Sequence, residues 1–394
     1  MGTHTCGNGN RVRNTYLMRI THLYIHVPYC AKLCYYCDFH FSLNLKTRSE
    51  YVDAVCNELA LRSEWFSQPI ETLYFGGGTP SLLTQEELTK ILSAIREKTS
   101  LSPNAEFSFE CNPDDITEAY CKTLLELGVN RLSIGIQSFF DDDLQLLNRR
   151  HSGETARNAV KIAQNAGFQN ITVDLIYGLP NMTMERWKHN LAEVEKLNVQ
   201  HLSAYSLMVE EHTALHKFVR TGKFLLPSEE SVLEEFNYLI DWSQQSGFEQ
   251  YEISNFAKNG MQSRHNSSYW KGEPYLGIGP SAHSFDGDRR YWNISHNAKY
   301  ISAIQNGIIP CETEMLSHQD KYNELIMTGL RTRNGILCET VKTIFPDYFH
   351  SFEQHKKSYI DKGLLQEHDG KISLTRQGIM LSDAIMSDFF VTED

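Results

Sequence analysis

Hydrophobic and polar positions alternate in a regular order from residue 23 to about residue 250. A short apolar run, "LYIHV" (23–27), leads into an amphipathic stretch over about 47–66. The pair recurs with "TLYFGGG" (72–78), "EFSFEC" (106–111), "RLSIGIQ" (131–137), "NITVDLIYG" (170–178) and "HLSAYSL" (201–207), the last leading into a helical pattern over about 228–246. Short apolar runs bounded by turn residues predict strands, and the helical periodicity after them predicts helices. Thr84, with Glu87 three residues on, predicts a capping box. Six strand–helix pairs predict parallel strands joined by right-handed crossovers. Six units fall short of the eight that close a barrel, so the expected fold class is α/β, an open partial (β/α)6 barrel.

After about residue 250 the alternation stops. "YEISNFAKNGMQSRHNSSYWKGEPYLGIGPSAHSF" is rich in Gly, Ser, Asn and aromatic residues, which predicts strands and functional loops. From about residue 319 the pattern is helical, and "LLQEHDGKISLT" predicts a hairpin turning at Asp369-Gly370 before a last helix. Three helices and a wing predict a small, mostly α, winged-helix-like domain. The expected organisation is a polar, disordered lead-in over 1–19, a barrel over 20–250, a β and loop extension over 251–318, and the C-terminal domain over 319–394. Met18, just before the first strand, is an alternative start to Met1.

Composition narrows the field. A chain of 394 residues, 41% hydrophobic, buries a large core. With 37 Lys and Arg against 49 Asp and Glu, the net charge of −12 repels phosphate backbones and argues against nucleic acid as a partner. The start lacks the apolar stretch of a secretory signal, and no apolar run reaches the ~20 residues that span a bilayer. Nine cysteines, an odd count without a signal, imply reduced thiols and a cytoplasmic protein.

Function in such folds gathers at the C-terminal ends of the strands. Three cysteines, Cys30, Cys34 and Cys37, follow the first strand in "CAKLCYYCDF". A disulfide framework takes an even set, and structural zinc takes a fourth ligand close by. Thiolates in one loop can instead each reach a different iron of one cluster, leaving a fourth iron open to a small molecule. "GGGTP" (76–80) follows the second strand without the Lys of a phosphate loop. Its glycines let backbone approach a ligand, or simply make a tight turn. Glu110 ends the third strand, Gln137 the fourth, and Asp174 sits among apolar residues of the fifth, where a charge needs a partner.

CxxxCxxC after a first strand, with aromatic Tyr36 before the last cysteine, resembles the signature of the radical S-adenosylmethionine (SAM) superfamily. The resemblance implies a radical SAM barrel whose [4Fe–4S] cluster is held by Cys30, Cys34 and Cys37. SAM on the open iron is then cleaved to a 5′-deoxyadenosyl radical. "YIHVPYC", "GGGTPSLL", "IGIQSF", "LNRRH", "DLIYGLP" and "YLGIGPSAHSF" resemble the branch that holds oxygen-independent coproporphyrinogen oxidase (HemN) and the HemW heme chaperones, over roughly residues 20–390. Carried over residue by residue, Tyr24 and Tyr36 line the SAM site, Gly77, Gly78 and Thr79 bind SAM, Glu110 and Gln137 contact its polar groups, and Arg149 and Asp174 complete the pocket. A second SAM stays open, as do plainer roles: a helix-capping carboxylate for Glu110, a surface cation for Arg149.

Within the branch, the oxidase pattern continues past the third cysteine with CxC; "CDF" stands here instead, the chaperone form. "HNSSYW" (265–270) matches the HNxxYW motif whose histidine is associated with heme. Neutral imidazole suits iron, so His265 is the expected axial ligand, with Tyr269 and Trp270 packing on the porphyrin. A hydrogen-bonded loop histidine is the plainer alternative. Arg264 beside it suits a propionate, and His283 is a second ligand candidate. The resemblance implies a heme chaperone. Its partners are heme, heme-accepting respiratory proteins and an electron donor, with room for peripheral membrane association. What radical chemistry does in that role, and which residues are catalytic, it leaves unassigned. One alternative is a decarboxylase of porphyrinogen propionates. Another is a winged-helix regulator with a cluster sensor, although residues 319–394 hold 9 Lys and Arg against 12 Asp and Glu where a DNA-binding wing should be basic.

Overall fold

The computed structural model describes residues 20–392; the lead-in over 1–19 and the choice between Met1 and Met18 lie outside the described residues. Strands β1 (His22–Val27), β2 (Ile70–Gly77), β3 (Leu101–Cys111), β4 (Arg131–Gln137), β5 (Ile171–Tyr177) and β6 (His201–Ser206) lie side by side in that order, each parallel to the next. Helices Arg48–Leu61, Gln85–Lys98, Glu118–Leu127, Gly153–Ala166, Met184–Leu197 and Glu229–Gln245 return the chain between them or follow the last strand. The six expected strand–helix pairs are all present. Side chains alternate across each strand. Leu23, Ile25 and Val27 of β1 are fully buried in the hydrophobic core, which leaves His22, Tyr24 and His26 for the opposite face of the sheet. Thr84 and Glu87 form the expected capping box at the helix Gln85–Lys98.

Two short helices escape the sequence pattern, Asp141–Leu146 and Ala214–Arg220. Both are too brief for periodicity to show. Asp141, Asp142 and Asp143 favour the first through its dipole, and the Thr213 side chain caps the second.

The chain after residue 248 extends the same sheet. β7 (Glu249–Glu252) and β8 (Asn255–Ala257) join antiparallel beyond β6. β9 (Tyr275–Ile278) crosses to pair parallel with β1, and β10 (His283–Phe285), β11 (Arg289–Asn293) and β12 (Cys311–Met315) follow antiparallel. The result is a 12-stranded sheet ending in β12 on one side and β7 on the other. "HNSSYW", expected in a loop, is instead the helix Arg264–Trp270. The reason lies outside the segment. The Glu106 carboxylate accepts from the backbone N–H groups of Arg264 and His265, both at 2.9 Å, and the Ser263 side chain accepts from that of Asn266. A carboxylate and a cap satisfy the free donors of the first turn, and no local pattern reveals them.

The C-terminal domain packs helices His318–Arg331, Cys338–Ile344 and Pro346–Asp361 on a small sheet of β13 (Ile336–Leu337), β14 (Leu365–His368) and β15 (Lys371–Leu374). Its core is its own, with Tyr322, Ile326, Phe352, Ile372 and Phe389 buried. The hairpin turns at Asp369-Gly370, both at positive φ, as a two-residue turn requires. Among the pairs that dock the domain, Arg290 meets Glu324 and Arg376 meets Asp241, while Arg331 pairs with buried Glu252 at 3.0 Å and lies over the Trp270 ring. Among the described residues no helix is long and apolar enough to cross a membrane.

Candidate functional site

The loop after β1 carries the three cysteines and is pinned at both flanks. The Cys30 N–H donates to the Ser42 carbonyl (3.1 Å) and the Ser42 N–H to that of Pro28 (2.8 Å). Further along, the Tyr35 N–H donates to Leu147 O (3.2 Å), and the Asn148 side-chain amide donates to Leu33 O (2.6 Å). All three thiols are free and partly buried. Among the described residues no three His, Cys, Asp or Glu side chains converge as the ligands of one ion would. A zinc site needs that convergence, whereas a four-iron cluster takes each thiolate on a separate iron.

Burial pushes the Cys30 thiol up, and the Cys37 thiol to about 11. Left alone these groups keep their protons. A bound metal reverses that logic by stabilising the thiolates directly.

A hydrogen-bonded chain ties this loop to the strand ends. The Thr79 hydroxyl donates to Cys30 Sγ (3.4 Å), and the Asn112 amide donates to Thr79 Oγ1 (3.3 Å). Arg149 Nη2 donates to Asn112 Oδ1 (2.7 Å) and to the Gly135 carbonyl (2.5 Å), while Nη1 donates to Cys34 Sγ (3.4 Å). Arg149 is therefore no surface cation. Its Nε is buried with no hydrogen-bond partner among the described residues, an open donor at the strand ends. Asn112, central to this chain, escaped the sequence reading; its signal was its place two residues after Glu110, at the end of β3.

Glu110 accepts from the Tyr74 hydroxyl (2.8 Å) and the Gly77 N–H (3.2 Å). Burial nonetheless raises its pKa to about 7, and nearby Asp174 adds to the rise. Asp174 receives the Ser133 hydroxyl at 3.4 Å, and burial lifts it to about 6 against the pull of Ser203, Ser133 and Arg149. Its partners are thus hydroxyls, with Arg149 and Arg131 acting on it only through their charge. Gln137 adopts a left-handed φ of 70° where the β4–β5 register slips, a costly conformation typical of functional sites. Tyr36 is packed against the core, and burial raises its phenol while Arg149 opposes the rise.

Two of the expected sites are tightly packed. At Gly77, with φ +106°, a Cβ would lie 2.6 Å from the His26 ring, and one at Gly78 would lie 2.7 Å from the Tyr29 carbonyl oxygen, so neither position has room for a side chain. These glycines let two strands close on each other. The second is His265, which is not presented to open space. It is 1% exposed, its Nδ1 is bonded to Thr72 Oγ1 (2.6 Å) and its Nε2 to the Tyr269 hydroxyl (2.8 Å). The ring stacks on Tyr74 with centroids 5.0 Å apart, beside Tyr24, and burial lowers its pKa to about 3. An iron would reach its Nε2 only after Tyr269 swung aside.

The strand ends therefore hold three thiols, an unsatisfied guanidinium donor and two carboxyls poised near neutrality. That donor set fits a [4Fe–4S] cluster and a small cationic ligand. The Radical SAM superfamily model matches residues 24–194, and the HemN C-terminal domain model residues 316–381. Heme chaperone HemW of Bacillus subtilis is 34% identical over 374 residues, covering 93% of this chain and 98% of that protein. The chain belongs to the HemW family of radical SAM proteins. HemW of Lactococcus lactis is 33% identical, covering 94% and 97% of the two chains. Radical S-adenosyl methionine domain-containing protein 1, mitochondrial, of Danio rerio is 33% identical over 82% of this chain and 76% of its own. Among solved structures, coproporphyrinogen III oxidase (HemN) of Escherichia coli superposes with a TM-score of 0.83 at 25% identity, covering 95% of this chain and 91% of that one. Radical SAM membership carries the [4Fe–4S] cluster and SAM with it.

Proposed function

We propose that this chain is a heme chaperone: it binds heme and passes it to respiratory proteins that need it, in the cytoplasm or at the membrane face. The observation that carries the reading is the end-to-end likeness to "Heme chaperone HemW" of Bacillus subtilis. "CDF" after Cys37, where the oxidase pattern has CxC, points the same way. Cys30, Cys34 and Cys37 hold the cluster, and Tyr24, Tyr36, Gly77, Gly78, Thr79, Glu110, Gln137, Arg149 and Asp174 surround SAM. Reduced by an electron donor, the cluster with SAM supplies a 5′-deoxyadenosyl radical. Around it Arg149 holds Cys34 and Asn112 in place, and Glu110 and Asp174 give up protons when a cation arrives beside them.

Anaerobic reconstitution tests the cluster. Replacing any of Cys30, Cys34 or Cys37 by Ala should remove most bound iron and the brown absorbance. Cys121→Ala, in a buried helix face, should not. A triple Cys→Ala variant that still gains a normal cluster overturns the assignment.

The likeness to the HemN structure favours a second reading, a porphyrinogen decarboxylase. Incubation with coproporphyrinogen III, SAM and a reductant separates the two. The chaperone reading expects no protoporphyrinogen, while heme titration should give a saturable bound-heme spectrum.

A further inference from the structure

The segment after β6 crosses the strand ends and meets the cysteine loop. The Leu207 N–H donates to the Tyr177 carbonyl (2.9 Å), and the Leu215 N–H, in the helix Ala214–Arg220, donates to the Tyr35 carbonyl (2.8 Å). Leu215 is fully buried, and Phe218 meets the Tyr35 ring edge-on with centroids 5.0 Å apart. Lys223 folds back over the Phe218 ring, 4.0 Å from its centroid, in a turn held by the Lys223 N–H on the Phe218 carbonyl (2.9 Å). Leu215 and Phe218 thus give the helix its inner face, while Lys217 and Arg220, also one turn apart, stand exposed.

Charge sets this surface apart. Between Glu211 and Glu229 the chain carries Lys217, Arg220 and Lys223 and no carboxylate, within a protein of net charge −12. Lys32, exposed between Cys30 and Cys34, adds a fourth cation, and Asp38 is the one acid of that loop. Among the described residues none of these four cations is in an ion pair. Arg150 and Arg186, which follow the fourth and fifth strands, are by contrast paired with Asp114 and Asp115, and with Asp142 and Asp143. Leu225 and Leu226, next along the chain, are exposed, the first at 78%. Folding gains nothing from unpaired like charges or from wet leucines, so the surface fits a partner.

We propose that Lys32, Lys217, Arg220 and Lys223, with Leu225 and Leu226, dock the protein that reduces the cluster: a small, low-potential one-electron carrier with an acidic face around its redox group. The inference rests on the reading above that an external donor feeds the cluster, and it assigns that donor's place and charge. One electron passes per encounter. The carrier loses it, a reduced flavin going from hydroquinone to semiquinone, and the cluster gains it, going from its oxidised to its reduced state. Opposite charge steers the carrier to the loop that holds the thiolates, although the protein as a whole repels it. Two leucines suffice to seat it, since redox encounters bury little surface and must part again.

The test uses the full-length protein with its cluster reconstituted anaerobically and SAM added. The probe is an acidic flavodoxin in its hydroquinone state, and stopped-flow absorbance gives the second-order rate of cluster reduction. The wild-type rate should fall as ionic strength rises. The triple variant Lys217→Glu, Arg220→Glu, Lys223→Glu should react at least ~10-fold more slowly at low salt, with little salt dependence left. Its iron content, SAM binding and reduction by photoexcited deazaflavin, a small molecule that needs no docking face, should match the wild type. Leu225→Ser with Leu226→Ser should slow the reaction and leave its salt slope unchanged. If deazaflavin cannot reduce the wild-type cluster, the reading of a reducible cluster falls and this inference with it. If deazaflavin reduces it but flavodoxin does not, or if the flavodoxin rate ignores salt or is the same in the triple variant, the docking surface falls while that reading stands. Vesicles containing phosphatidylglycerol check another occupant. Binding that the triple variant loses, with its flavodoxin rate unchanged, gives the patch to an anionic membrane and overturns the proposal.

Discussion

Burial raises the pKa of Glu110 because its surroundings offer a phenol and one amide but no cation close enough to offset the desolvation. Its pKa moves from 4.5 to about 7. Below about pH 4.5 the group is protonated in both folded and unfolded chains, and its contribution to stability is complete. As pH rises, the unfolded chain ionises first, and stability is lost until the folded group follows near pH 7. Asp174, raised from 3.8 to about 6, adds a loss of the same sign. The cluster-free protein should therefore be less stable at pH 8 than at pH 5, by up to roughly 3 kcal/mol from Glu110. Urea midpoints for Glu110→Gln should show a flatter pH profile; an identical profile removes Glu110 as the cause.

His265 is a second case at this scale. It joins Thr72 of β2 to Tyr269, and its backbone to Glu106 of β3. His265→Ala strips two buried hydroxyls of a partner and empties a stacked site, so it should cost about 2–4 kcal/mol in thermal or urea unfolding. A ligand facing open space would cost far less.

At the level of elements, β10 sits where it does because β9 contains Gly277. A Cβ at that position would lie 2.1 Å from the His283 carbonyl oxygen, closer than any real contact. Gly277→Ala must push β10 away from β9 and should lower stability by roughly 2 kcal/mol or more. Gly272→Ala is the control. Its φ of +65° is unfavourable, but no atom lies within 4 Å of the new methyl, so the cost should be about 1 kcal/mol. Equal losses in the two variants would mean that close approach is not what Gly277 provides. The helix Arg264–Trp270 makes the same point from the other side, since its first turn exists because Glu106, 158 residues earlier, caps it.

For the whole molecule, the seam between barrel and C-terminal domain is crossed by several ion pairs, among them Arg290–Glu324 and Arg376–Asp241, and Arg331–Glu252 is the one whose carboxylate is fully buried. Glu252 has no side-chain exposure, and it accepts from Arg331, from the Ser254 N–H and from the Asn255 amide. Arg331→Ala leaves that carboxylate buried without its cation, which typically costs about 3–5 kcal/mol. It also removes the cation stacked on Trp270, which lines the cavity between the sheet and the C-terminal domain. The expected result is a melting curve that separates into two transitions, with the small domain releasing first. A single transition at the wild-type temperature would show that the pair does not hold the seam.

The sequence by itself determined the six strand–helix pairs, the capping box, the Asp369-Gly370 hairpin and the place of the three cysteines after the first strand. Each of these depends on near neighbours: periodicity, a cap three residues away, a two-residue turn. Its motifs also matched the family to which the chain belongs. Tertiary structure alone decided what needs distant partners. It set β9 beside β1, across some 250 residues, and so carried the extension into the same sheet. It folded "HNSSYW" into a helix on the Glu106 carboxylate, and turned His265 inward while leaving His283 on the cavity wall. It joined Asn112 and Arg149 to the cysteine loop. The reason is common to all of them. Residue type states what a side chain can do, whereas burial and free partners decide what it does, and both are set by chain segments far apart in sequence.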